Sequence, residues 1–313
     1  MTSRTFKTAV GLAGAGAALA GGHQALLRKW RDNPDPLNGK PATFPDGESR
    51  FVETPDGATI HTVTAGSGPT VVLVHGITVN MAHWGLIAER LITSGHRVIG
   101  VDQRGHGQSI VGSASYSPEL LGDDLAAVFE QLDITDAVLA GHSMGGMASM
   151  TFAIRHSDLA RRVLRGLVLV ATTPELPRLR TELGIVAVPK NITTRYRVGA
   201  GLTTFGAEPS LNMIDETLAM ANETPFANRR IAGRGLRGFD IEDQLGSITQ
   251  ETIVLAGTRD LVTPMAGNVA IAEAIPNASL IKLEHAGHSL IWERADDVQG
   301  AIEHLSSAVP AVA

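Results

Sequence analysis

The chain contains no cysteine. This excludes a disulfide framework, a thiol nucleophile and any cysteine-ligated metal, while leaving the compartment open. It also lacks a long basic run: 26 Lys and Arg against 32 Asp and Glu give a formal charge of −6. A nucleic-acid partner calls for clustered basic residues, so that function class is set aside. No internal repeat and no heptad pattern occurs, which removes solenoids and coiled coils. What is present is 313 residues at 43% hydrophobic, enough for one large core or a core plus a lid.

The N-terminus differs in composition from the rest. Residues 1–8 carry Arg4 and Lys7, and residues 9–22 are almost entirely Ala, Gly, Leu and Val. Ala18-Leu19-Ala20 has the small-x-small form of a signal-peptidase site. Against this, the stretch is shorter than the ~20 residues that span a bilayer. The Ser3-Arg4-Thr5-Phe6-Lys7 start also lacks the second arginine of a twin-arginine signal. Two expectations follow: an exported or membrane-associated protein held through residues 9–22, or a cytoplasmic one in which the segment merely precedes the domain. Pro, Asn, Asp and Gly dominate residues 31–46, which reads as a linker, so residues 1–47 are set apart as tail and linker.

From there the pattern alternates. Residues 50–53 and 59–64 read as a hairpin around Pro55-Asp56-Gly57. A buried strand over 70–74 is followed by a helix near 82–92 and a strand over 98–101. Ser117-Pro118 caps a helix that runs to about 132. Strands at 137–140 and 166–171 flank a helix over 145–155. This β-α alternation predicts a mostly parallel sheet with helices on both faces and active residues at its C-terminal edge. The alternation stops between about 173 and 246, where Pro174, Pro177, Pro189 and Pro209 interrupt helical patches such as 210–222. So long an insertion in a compact domain predicts a functional lid. The core is therefore assigned to 48–173 and 246–313, and the cap to 174–245.

Chemistry enters at Gly141-His142-Ser143-Met144-Gly145, which ends an apolar run and precedes a small-residue helical pattern. A serine on a strained strand-to-helix turn needs small neighbours, and the turn exposes its hydroxyl. By itself a G-x-S-x-G is equally a turn without chemistry. Four further segments accompany it in order: Thr70-Val-Val-Leu-Val74 into His75-Gly76-Ile77; Asp102-Gln-Arg-Gly-His106; Gly257-Thr-Arg-Asp260 through Pro264; and Glu284-His285-Ala-Gly-His288.

These five motifs in this order resemble the α/β-hydrolase family, in its serine esterase and lipase-like branch. The resemblance runs from about residue 50 to the C-terminus and is weakest between 174 and 245. It implies the α/β-hydrolase fold with a helical cap insertion. It further implies Ser143 as nucleophile, His288 as general base and Asp260 as the acid that orients it, in the chain order Ser, Asp, His. The backbone amides of Ile77 and Met144 would form the oxyanion hole. No cofactor and no metal is implied, and the expected partner is a small-molecule ester or other acyl substrate. A serine at 143 speaks against the related epoxide hydrolases and haloalkane dehalogenases, whose nucleophile is a carboxylate. Lacking a Gly-Gly-Gly run after His75, the chain is not expected to be highly active on bulky tertiary-alcohol esters.

Several residues carry a bland reading beside the chemical one. His285 with Glu284 has metal-ligand spacing, but no third ligand cluster appears, and it is expected on the strand end or beneath the loop. Asp102, Arg104 and His106 are read as shaping their loop, His142 as tuning the turn, and Trp84 as core. Arg229, Arg230, Arg234 and Arg237 are read as a solvated face rather than a basic pocket. The same triad would also serve a carbon–carbon bond hydrolase, a cofactor-free perhydrolase, or acyl transfer to an alcohol in place of water. A non-catalytic ligand-binding protein on this scaffold is the alternative of another class. Acyl chain length and oligomeric state are not legible in the sequence.

Overall fold

The computed structural model describes residues 21–114, 116–176 and 192–307. Residues 21–32 form a helix, α1. The sheet strands are β1 (Glu48–Glu53), β2 (Thr59–Gly66), β3 (Thr70–Val74), β4 (Arg97–Val101), β5 (Ala137–His142), β6 (Leu164–Val170), β7 (Glu251–Gly257) and β8 (Ala278–Leu283). They form one eight-stranded sheet in the order β1-β2-β4-β3-β5-β6-β7-β8. β1 and β2 are antiparallel, as is the β2–β4 pairing, while every pairing from β4 to β8 is parallel. Parallel pairing sends the ends of β3, β5, β7 and β8 to the same edge, where the candidate site lies.

The central strands are apolar on both faces because helices cover both. Alternate residues split the core: Val72 and Val74 face one apolar cluster, Val71 and Leu73 the other. The first is completed by α3 (Pro118–Gln131), α4 (Met144–Arg155) and α9 (Met265–Ala274), the second by α2 (Gly85–Thr93), the short α10 (Leu290–Glu293) and α11 (Ala295–Ser307). α3 starts where the sequence predicts. The Ser117 side chain accepts the Leu120 amide at 3.4 Å and Pro118 occupies the first turn. A short helix absent from the sequence reading, α5 (Ser157–Val163), follows α4.

Between β6 and β7 the described residues form α6 (Thr194–Thr204), α7 (Leu211–Glu223) and α8 (Phe226–Gly235). Part of this insertion, including the predicted helix breakers Pro177 and Pro189, lies outside the described residues. The stretch read as a linker is docked rather than free. Trp30 and Leu37 are buried, and Asn33 Nδ2 donates to the Pro209 carbonyl at 2.8 Å.

The expectation of membrane attachment through residues 9–22 is corrected. Among the described residues no helix is long and apolar enough to cross a membrane. Of residues 9–22, only Gly21 and Gly22 are described, and both are helical. Residues 9–20, with the small-x-small triplet, lie outside the described residues.

Candidate active site

Ser143 sits between the last residue of β5 and the first of α4, with φ 53° and ψ −116°. A non-glycine residue in this region costs on the order of 1–3 kcal/mol, so the surroundings must enforce it. They do so by crowding: a β-carbon at Gly145 would strike the Val74 carbonyl, and one at Gly141 would strike the Gly145 carbonyl. The backbone is pinned as well, since the Ser143 amide donates to the Val170 carbonyl at 2.9 Å. The Thr172 hydroxyl in turn donates to the Ser143 carbonyl at 2.7 Å. Met144 then begins α4, whose first amides have no intrahelical acceptor and face an electron-rich group favourably.

Asp260 and His288 follow β7 and β8. His288 Nδ1 donates to Asp260 Oδ2 at 2.8 Å, and both residues are buried. The other Asp260 oxygen accepts the Val262 and Thr263 amides at 2.7 and 2.9 Å, while the Thr263 hydroxyl donates to Oδ2 at 2.7 Å. Burial alone would raise the Asp260 carboxyl, but the neighbouring imidazole and the Thr263 groups outweigh it and hold the acid ionised. The His288 loop is fixed by its backbone: its amide donates to the Thr204 carbonyl at 2.8 Å. Glu293 accepts the Gly287 and Gly206 amides at 3.0 and 2.7 Å.

The loop after β3 carries Gly76, Ile77 and Thr78. A β-carbon at Gly76 would approach the Ser143 side chain to 3.2 Å, which places this loop against the serine. Thr78 has φ 66°, and its amide donates to His106 Nε2 at 3.2 Å. His106 Nδ1 donates to the Arg104 carbonyl at 3.1 Å, so this histidine is neutral with a defined tautomer. Burial and the nearby His75 lower its pKa to about 3. His75 is held likewise, donating through Nδ1 to the Gly76 carbonyl at 2.7 Å and accepting the Gln103 amide at 3.0 Å. Beneath them Asp102 accepts the Met81 amide at 2.9 Å and the His61 ring at 2.9 Å. Asp102, Arg104 and His106 thus shape the loop, as the sequence reading has it.

These residues open into a cavity of 720 Å³. Gly76, Ile77, Ser143, Met144 and His288 form its floor; α6, α7 and α8 supply much of its wall, mostly apolar. Arg195 is the only Lys, Arg, Asp or Glu among the described lining residues. Asp260 lies behind His288 and does not line the cavity. One bland reading needs revision: Arg229 is buried against Phe226 rather than solvated. Of the two places expected for His285, the structure gives the first, exposed two residues past the end of β8. Among the described residues no cluster of three or more His, Asp or Glu could hold a metal.

Sequence reasoning missed several supporting groups. Thr263 and Thr172 bond the acid and the serine backbone, and the fully buried Asn268 links them, through the Thr172 amide at 3.3 Å and the Thr263 carbonyl at 3.2 Å. His83 and His142 both line the cavity, with ring centroids 5.1 Å apart. The His142 Nε2–H donates to the His288 carbonyl at 2.9 Å, and burial with the adjacent His288 lowers its pKa to about 3. Thr263 and His142 lie in recognisable motifs, and the sequence already reads His142 as tuning its turn; Thr172, Asn268 and His83 lack a local signal.

Comparison with known proteins bears on this arrangement. A model of the alpha/beta hydrolase family matches residues 71–300. The chain is 30% identical to a 2-hydroxy-6-oxononadienedioate/2-hydroxy-6-oxononatrienedioate hydrolase of Cupriavidus pinatubonensis, over 80% of this chain and 92% of that protein. It is 28% identical to a pimeloyl-[acyl-carrier protein] methyl ester esterase of Xanthomonas campestris, over 80% of this chain and 100% of the other. A solved esterase from Exiguobacterium antarcticum superposes with a TM-score of 0.75 at 24% identity, covering 83% of this chain and 100% of its own. That last likeness speaks to fold alone.

Proposed function

The chain belongs to the alpha/beta hydrolase family, and on that premise we propose that it cleaves carboxylic esters through an acyl-enzyme formed on Ser143. The observation that carries this reading is a strained serine and a histidine that line one cavity, with the histidine Nδ1 bonded to a buried carboxylate. His288 takes the Ser143 proton as Oγ attacks the substrate carbonyl, and Asp260 stabilises the imidazolium that results. The tetrahedral oxyanion is held by the Ile77 and Met144 amides. His288 then gives its proton to the leaving alcohol as the C–O bond breaks. In the second half, water loses a proton to His288, attacks the acyl carbonyl, and releases the acid and free Ser143.

The insertion α6–α8 acts as the lid, and its apolar lining suits a hydrocarbon acyl chain. A thioester or lactone would meet the same groups. A second reading, carbon–carbon bond hydrolysis, is favoured by the Cupriavidus relative and by Arg195 on the cavity wall. Turnover of a β-diketone-like acid above that of matched esters would decide for it.

The first test is labelling by a fluorophosphonate probe, with the adduct mapped by mass spectrometry. The expected result is a single adduct on Ser143 and none in Ser143→Ala. A folded protein that takes no label would overturn the acyl-enzyme reading and favour ligand binding without chemistry.

A further inference from the structure

We infer that residues 24–44 form a strap that holds α6 and α7 against the core and so sets the width of the substrate cavity, with Trp30 as its main positioning residue. The inference rests on the cavity being the substrate site, as proposed above. The strap lies outside the region the family model matches, which begins at residue 71.

The strap is anchored at both ends. On the core side, Phe44 packs on Gly100 of β4, where a β-carbon would fall 2.6 Å from its ring. A β-carbon at Gly85, the first residue of α2, would strike the Thr43 carbonyl. On the insertion side, Trp30 is 3% exposed and lies on Gly201 of α6, where a β-carbon would come 2.5 Å from the indole. Leu27, Trp30 and Leu37 share one apolar cluster with Val198, Phe205, Met213, Ile214 and Leu218. Polar contacts fix the register. Asp35 accepts Ser210 Oγ at 3.1 Å and Asn212 Nδ2 at 3.0 Å, and Glu216 accepts the Ala42 amide at 2.8 Å.

The two sides of α6 make this consequential. Tyr196, Gly199, Ala200 and Thr203 line the cavity, while Val198 and Gly201 are buried toward the strap. At its end, the Thr204 carbonyl accepts the His288 amide at 2.8 Å. α6 is therefore held between the indole and the histidine loop, and close packing leaves it no room to move independently of either. Removing the indole leaves a void that α6 can enter, which widens the cavity and loosens one support of His288.

The test compares wild type with Trp30→Ala, Trp30→Phe, Glu216→Ala and the double variant Trp30→Ala/Gly201→Leu, which refills the void from the other side. Hydrogen exchange, read without any substrate, should speed roughly tenfold in α6 and α7 of Trp30→Ala while β5, β6 and β7 stay protected. Glu216→Ala removes only the Ala42 bond and should move the same amides by less. The turnover ratio of octanoate to acetate esters should shift by about tenfold in Trp30→Ala. It should stay near wild type in Trp30→Phe and return toward it in the double variant. Unchanged α6 exchange, or loosening spread equally over the sheet, overturns the strap, as does an unchanged chain-length ratio in an enzyme that labels at Ser143. Failure of wild type to label overturns the Ser143 reading instead, and the exchange result still judges the strap as a tether. If Trp30→Ala does not fold, Trp30→Leu takes its place: α6 exchange and the chain-length ratio should both shift several-fold, and no change in either overturns the strap.

Discussion

Position 260 shows how much a single oxygen can carry. Asp260 Oδ2 accepts both the His288 ring and the Thr263 hydroxyl, and that bond assigns the proton to Nδ1, leaving Nε2 as the basic nitrogen. Asp260→Asn presents a donor or a neutral acceptor in its place and is expected to lower kcat by about 10³–10⁴ with little change in KM. Thr263→Val keeps the carboxylate but removes one charge-assisted bond; a loss of roughly tenfold in kcat is expected, with folding intact. Steady-state kinetics on a matched ester, with circular dichroism for the fold, checks both. Equal effects from the two substitutions would show that the carboxylate has no role apart from its network. Asp260 itself was legible through the motif around it. The contribution of Thr263 was not, because a threonine three residues on is an ordinary turn residue until its partner is known.

At the scale of elements, the loops after β3 and β4 form one polar layer beneath the serine. Arg104, 1% exposed, is its keystone. Nε donates to Asp124 Oδ2 at 2.6 Å and Nη1 to Asp56 Oδ2 at 3.0 Å. Burial opposes its charge, but the two carboxylates outweigh that and hold it protonated. Arg104→Met would strand Asp124 as a buried acid on α3 and should cost about 3–5 kcal/mol in urea unfolding. Adding Asp124→Leu should recover part of that loss, because the second change removes the stranded charge. No recovery in the double variant would place the cost in packing rather than electrostatics. The hairpin, the caps and the strand-to-helix turn were readable because each rests on neighbours within a few residues. α5 was missed because its start at His156-Ser157 carries no side-chain cap bond.

For the whole molecule, buried neutral histidines make stability depend on pH. His106 and His142 are lowered from 6.5 to about 3, chiefly by burial, and His75 and His83 are lowered in the same direction for the same reason. Between pH 6.5 and 3 the unfolded chain therefore binds more protons than the folded one. The stability is fully present above about 6.5 and drains as pH falls, by up to ~1.4 kcal/mol per pH unit for each histidine. Asp102 and Asp260, held below their ordinary 3.8, add a second loss only below that value. The urea midpoint should fall steadily from pH 7 to pH 5, and the slope should be shallower in His106→Gln by about one histidine's share. A flat profile over that range would mean that these rings are hydrated or already charged in the fold.

The sequence by itself determined a mostly parallel sheet with helices on both faces, and that the proposed Ser143, Asp260 and His288 each follow a strand. Strand periodicity and the glycines flanking the serine act on neighbouring residues, so they leave a local imprint. Which element covers the site was decided by the tertiary structure. Trp30 meets Gly201, Asn33 meets Pro209, and Ala42 meets Glu216 across more than 170 residues of chain. Neither member of such a pair signals the other, so residues 31–46 read as a linker although packing makes them a strap. Arg229 reads as a surface cation for the same reason, because only the folded neighbours of α8 remove it from water.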